Sequence, residues 1–411
     1  MTELSRTIWL RGRSDEGRAM LNQAIAILER LPPGIQLVNA YERAAGQAAV
    51  SGEPDATIER AERGLALAER LGDDLHVGVL RQYLGVALCE LGHVERGLEE
   101  LRAAMQLELS RGYAMRASIA YSNLGTLLLM AEGAEVALPV HEEGIEFSRR
   151  RGLAESFWWL RSERIWMLYD LGRWDELLHD AQALRSELSA ADRDSASDQL
   201  GPLLHTWEAH VLLRRGERAP AQALIDECLA SARDVRDAQI LGPTLAAAAL
   251  AAHGSGDDDA ALAFVDELDT TLAGRAAWHR GRFLPELVAI CIAAGASDRG
   301  ERLVDSIDVL AGRTEHAVTS ARALLFEAGG RHEDALRLNE AAATGWQRFA
   351  FTFARAHALH AAGRCLLALG RRDEAGARLA EARSIFGELR ATPSTAEVDA
   401  LLGDAPLRAR I

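Results

Sequence analysis

Glu90–Leu101, ELGHVERGLEEL, holds the pattern that decides the fold. A helical run ends at Gly92, polar residues follow, and a small residue, Gly97, stands five positions on. A second small residue, Gly85, lies seven positions before the turn. A glycine ends a helix well because it adopts the left-handed conformation at the helix C-terminus. Acidic or hydroxyl residues just after it suit the positive N-terminal end of the next helix. Small side chains at the flanking positions let two helices approach closely. The stretch therefore reads as a helical hairpin.

The same pattern returns along the chain. Turn glycines stand at Gly12, Gly52, Gly92, Gly133, Gly172, Gly216, Gly256, Gly295, Gly330 and Gly370, spaced by 40, 40, 41, 39, 44, 40, 39, 35 and 40 residues. Five residues on, the side chain is often small (Gly17, Gly97, Ala221, Ala261, Gly300, Ala335, Ala375). Seven before, it is small again (Gly85, Ala209, Ala249, Ala323, Gly363). Thr57, Leu138 and Leu177 break the rule. Such self-similarity marks a repeat array.

These positions resemble tetratricopeptide (TPR) repeats over nearly the whole chain, with a period longer than the usual ~34 residues. The resemblance implies an all-α, right-handed α-solenoid of about ten TPR-like hairpins with a period near 40. The 44-residue spacing contains the polar segment SAADRDSASDQLG, Ser189–Gly201. It predicts an N-terminal half-array over 1–188, a longer polar loop over 189–201, and a C-terminal half-array over 202–411. Few residues precede Gly12, so the first hairpin reads as truncated. An uncapped solenoid end exposes apolar surface, which makes homodimerisation through that end an expectation.

Arg11–Ala45 (RGRSDEGRAMLNQAIAILERLPPGIQLVNAYERAA) and Ala382–Gly403 (ARSIFGELRATPSTAEVDALLG) are similar to the repeat region of large bacterial LuxR-type ATPase regulators and ATPase-linked nucleotide cyclases. The resemblance implies a regulatory arm, either free-standing or cut from a larger protein. The GxxxxGK[ST] phosphate-binding motif of the ATPase module is missing.

Composition narrows the function. The chain has 411 residues, is 48% hydrophobic and 26% charged, and carries a net charge of −15. All 46 basic residues are arginine, so neither a P-loop lysine nor a Schiff-base amine exists in this chain. An acidic surface repels nucleic-acid phosphates, so nucleic acid is not an expected partner. The basic run Arg149–Arg151 sits among acidic residues and reads as a helix end. Cys89, Cys228, Cys291 and Cys365 are far apart and read as reduced helix residues. No run is long enough to span a membrane, and no signal-peptide core opens the chain. A cytoplasmic protein is the expectation. No HExxH or GxSxG occurs, and no histidine is paired with Cys89 by local spacing. No enzyme and no cofactor are predicted.

Candidate binding residues come from the groove positions that the TPR resemblance implies. Four of the eight tryptophans fall in Phe157–Glu176, FWWLRSERIWMLYDLGRWDE. The groove positions there are Trp159, Ser162, Trp166, Tyr169 and Asp170, and the first four also share one helical face by spacing. Trp158 and Trp174 read as packing residues. Earlier repeats offer Gln82, Val86, Glu90, Ser122 and Thr126, with Asn123 adjacent. The next offers Thr206 and His210. His357, His360 and Arg364 lie on one face of a later helix and form a possible anion-binding spot. Two histidines without a third ligand make a metal site unexpected. Asp257–Asp259 reads as an acidic helix start rather than a calcium loop. The expected function is a non-enzymatic scaffold or regulatory module that binds a peptide or protein in its concave groove. The alternative is a small-molecule sensor with a pocket around Trp159, Trp166 and Tyr169. An open groove favours the peptide; a closed cavity favours the small ligand.

Overall fold

The computed structural model describes residues 14–190, 194–235, 238–308 and 312–404. Among them are twenty-one α-helices and no strand. Consecutive helices pack against each other as hairpins, for example Asp74–Glu90 with Val94–Arg111. The fold is the TPR-like helical repeat expected. No helix among the described residues is long and apolar enough to cross a membrane.

The repeat glycines perform the conformational task assigned to them. From Gly52 to Gly370 all nine sit at φ between +71° and +104°; Gly12 lies outside the described residues. At Gly92 the next amide, His93 N–H, donates to Leu88 O at 2.8 Å, closing the helix end. A half-period is also present. Gly72, Gly112 and Gly152 take the same left-handed conformation midway between the repeat turns. Late in the chain Ala350 and Arg390 occupy that midway place at φ 57° and 56°. A Cβ in this region costs about 1–2 kcal/mol, partly offset by the restriction that alanine places on the unfolded chain. Ala350→Gly should therefore raise stability by up to about 1 kcal/mol, read as a higher denaturant midpoint. A lower midpoint would show that the turn is not strained.

Close approach inside the hairpins also follows the pattern. Ala209, Ala221, Ala249, Ala261, Ala323, Ala335 and Ala375 are completely buried. Where the small rule fails, the larger side chain is still interior. Thr57 is fully buried, and its hydroxyl donates to Glu53 O at 2.9 Å. Arg149 and Arg150 end their helix paired with Glu146. Asp257 caps its helix by accepting Ala260 N–H at 3.0 Å.

The division of the chain differs from the one expected. One compact unit comprises residues 1–128 and 140–157; the other comprises 129–139 and 158–411. The polar segment 189–201 does not mark the boundary, and most of it is not a loop. Residues 191–193 lie outside the described residues, and the helix Asp194–Arg215 takes up the rest beyond them.

Within the C-terminal unit the array returns on itself. The Thr352 hydroxyl donates to Leu171 O at 2.8 Å, across 181 residues of sequence. Ala134 N–H donates to Phe349 O at 3.1 Å. Arg215 and Arg390 both bind Asp175, at 2.8 and 2.6 Å. The turn ends of early helices are thereby joined to those of late ones.

Candidate functional site

In the N-terminal unit the predicted Gln82 and Asn123 join Glu108 in a polar network, while Val86 and Glu90 are half-buried beside it in sequence. Gln82 is 4% exposed; its amide donates to both oxygens of Glu108 at 2.8 and 3.0 Å. Its carbonyl accepts from Asn123 at 2.8 Å. Ser122 and Asn123 are half-buried, and Thr126 is buried. Gly78 leaves room for the carboxylate: a Cβ there would lie 2.7 Å from Glu108 Oε1. Burial pushes the Glu108 pKa up to about 7, against the opposing effects of Gln82 and Arg116. The folded unit thus keeps a proton that the unfolded chain releases near 4.5. Stability falls as pH rises through that window, by roughly 3 kcal/mol in all. Glu108→Gln should flatten the pH dependence of the urea midpoint between pH 5 and 7. An unchanged slope would show that Glu108 does not carry it.

The C-terminal unit holds a cavity of about 300 Å³. Tyr169 and Asp170, at the end of the helix Ala154–Asp170, line it. His357, His360 and Arg364 line it too, from the helix Thr352–Ala368. Phe353, His357, His360 and Arg364 recur at steps of four, three and four, which places them on one helix face. Rings from distant repeats complete the wall: Trp207, Phe283, Trp346, Phe351 and Phe353.

The other candidates are not brought to this cavity. Ser162 is fully buried, with its hydroxyl on Trp159 O at 2.6 Å, and Trp159 is half-buried. Trp166 is 2% exposed and packs against Trp207 at 6.4 Å. The expected aromatic platform is therefore divided: of its rings only Tyr169 faces the cavity. Thr206 and His210 are completely buried; Thr206 bonds Thr244 at 2.8 Å and His210 bonds Pro243 O at 2.9 Å. Trp174 is a packing residue, its indole N–H on Tyr169 O at 3.0 Å. Cys89 packs inside its hairpin against Gly97, and burial pushes its thiol up to about 12.

The cavity's charges are mostly arginine. Arg364 is held bidentately by Glu327 at 2.7 and 2.8 Å, and Arg214 pairs with Glu286 at 3.1 Å. Arg282 and Arg313 instead share one carboxylate: Asp170 Oδ2 lies 3.8 and 3.3 Å from them. Their side chains are 9% and 7% exposed. Arg282 lies over the rings of Trp207 and Trp166, at 4.6 and 5.1 Å. Burial and the neighbouring Arg313 push its pKa down to about 9. His357 faces the cavity, but the surrounding wall and Arg214 hold its pKa well below the ordinary value. Burial pushes His360 down to about 4. At neutral pH the two histidines therefore add no charge.

Local sequence explains where the unexpected arginines point. Pro285 lies in the first turn of the helix Leu284–Ala293 and cannot continue the preceding short helix, Ala277–Gly281. The break presents Arg282 and Phe283. Arg313 opens the helix Arg313–Ala328 after Gly312, whose positive φ and close approach to Met130 O leave no room for a Cβ. The aromatic run WQRFAFTF, Trp346–Phe353, was a legible signal for the cavity wall.

No family model matches the chain, and no curated protein matches its sequence. Solved structures are similar in fold. The Rap protein complexed with competence and sporulation factor superposes with a TM-score of 0.57 at 12% identity, over 77% of this chain and 82% of that one. NprR in complex with its cognate peptide NprX gives 0.55 at 11% identity, over 83% and 96%. The apo quorum sensor NprR from B. thuringiensis gives 0.51 at 11%, over 93% and 97%. This likeness is one of fold.

Proposed function

We propose that the chain is a non-enzymatic regulatory protein that binds a peptide or a segment of a partner protein, with the cavity of the C-terminal unit as the receiving site, in bacterial signalling or transcriptional control. The observation that carries this reading is the walled cavity itself, with aromatic rings and guanidiniums converging from six helical segments of distant sequence position. Aromatic and arginine side chains are the residues that dominate interface hot spots. The fold is shared with Rap, solved with competence and sporulation factor, and with NprR, solved with its cognate peptide NprX.

A second reading has its own support. About 300 Å³ is the lower end of small-ligand pockets, and contacts between early and late repeats narrow the groove. A small-molecule sensor fits a pocket of that size.

The test is selection from a random short-peptide library, beside a thermal-shift screen of small molecules. Both use the wild type and Ala289→Trp, which fills the cavity from an accessible wall position. Peptides enriched on the wild type and lost on Ala289→Trp support the first reading; small-molecule hits with that dependence support the second. Failure of both libraries to give a cavity-dependent ligand sinks the function.

A further inference from the structure

We infer that the cavity's ligand carries a carboxylate, held between Arg282 and Arg313, with an apolar or aromatic body against the Trp207 and Phe283 rings. This rests on the reading of the cavity as a ligand site and names the chemistry it selects.

The argument begins with an imbalance. A buried guanidinium without a full complement of acceptors is costly, so buried arginines are normally paired and hydrogen-bonded. Arg364 follows that rule with Glu327, and Arg214 follows it in part, with Nη2 on Glu286 and Nε unpartnered. Arg282 and Arg313 do not: two nine-tenths-buried cations share Asp170, and Arg313 Nη2 donates besides only to Arg282 O, at 3.4 Å. Nε and Nη2 of Arg282 and Nε of Arg313 have no hydrogen-bond partner. Both residues line the cavity. One anionic group would balance the second charge and accept from the idle donors.

The shape of the donors favours a planar carboxylate. A guanidinium presents N–H groups in a fixed fork that matches two carboxylate oxygens. The neighbouring wall is apolar: Phe283 and Trp207 stand beside Arg282, and Phe351 lies 4.6 Å from the Arg313 guanidinium. A bare inorganic ion would leave these rings uncovered. An organic acid, or the end of a peptide chain, would cover them. Asp170 has a dual part. It holds the two cations in place and competes with the ligand for them.

The experiment uses isosteric pairs that differ in charge. Benzoate is compared with benzamide, and short peptides as free acids with the same peptides as C-terminal amides. Binding is read by calorimetry and by quenching of tryptophan fluorescence, since Trp207 and Trp346 line the cavity. In the wild type the acid of at least one pair should bind ten-fold or more tightly than its amide. Preference within the benzoate pair alone assigns the carboxylate to a small acid; preference within the peptides alone assigns it to a chain terminus. Arg282→Gln, checked for folding by circular dichroism, should bring the acid-to-amide ratio near one. Asp170→Asn should tighten acid binding several-fold, an effect that mere loss of structure would not produce. Equal binding of acid and amide, or a cavity-dependent ligand that is uncharged, overturns the inference and leaves the proposed function standing. Silence of every probe, together with no cavity-dependent ligand from either library, removes both.

Discussion

An Asp170→Ala variant is expected to lose about 3–5 kcal/mol of stability in the C-terminal unit, the cost of breaking a buried ion pair by removing one partner. Asp170 is 6% exposed and is the carboxylate nearest both Arg282 and Arg313. Its loss leaves two guanidiniums facing each other in an apolar surround, so the expected value lies toward the upper end. Added salt should recover little of it, because buried charges are poorly screened. Denaturant unfolding followed by tryptophan fluorescence reads the change, since most of the rings concerned belong to this unit. A loss below about 1 kcal/mol would show that the two arginines are satisfied without Asp170.

Gly97→Val is expected to cost the N-terminal unit about 3 kcal/mol, the upper part of the usual range for overpacking. A Cβ at residue 97 would meet Cys89 Sγ at 2.5 Å and Gly85 O at 2.6 Å. One of these neighbours is backbone of the partner helix, so relief requires the hairpin to open rather than a rotamer to turn. The better helix propensity of a side chain recovers at most about 1 kcal/mol. Gly376 supplies the contrast. It lies within the helix Arg372–Leu389 with nothing within 4 Å of an added Cβ. Gly376→Ala should therefore stabilise by about 0.5–1 kcal/mol. Equal effects at the two glycines in urea titrations would contradict the close-packing account.

The hairpin geometry was legible because its causes are local. Gly92, Gly85 and Gly97 lie within thirteen residues of one another, and the helix end and the close approach both depend on those residues alone. The half-period was harder to read. Gly72, Gly112 and Gly152 mark it early in the chain, but Ala350 and Arg390 adopt the same conformation without glycine. No residue type announces those turns. Arg390 holds its place with its guanidinium on Asp175, 215 residues away, a contact that no local pattern contains.

The candidate site divides in the same way. His357, His360 and Arg364 line one cavity wall together, as residues on one helix face do from the 3.6-residue period, whereas Asp170 beside Tyr169 came from the repeat resemblance. Helical spacing also grouped Trp166 with Tyr169, and burial overruled it: Trp207 and Arg282 cover that ring. Residues 282 and 313 carried no signal of their own. The amino-acid order determined the helices, their turns and the packing of each hairpin, since those depend on side-chain size and backbone conformation within about forty residues. The tertiary structure alone decided that the C-terminal repeats close into a cavity and that two arginines meet one aspartate there. Closure depends on small rotations accumulated from repeat to repeat, and such sums become visible only when Leu171 and Thr352 are seen to touch.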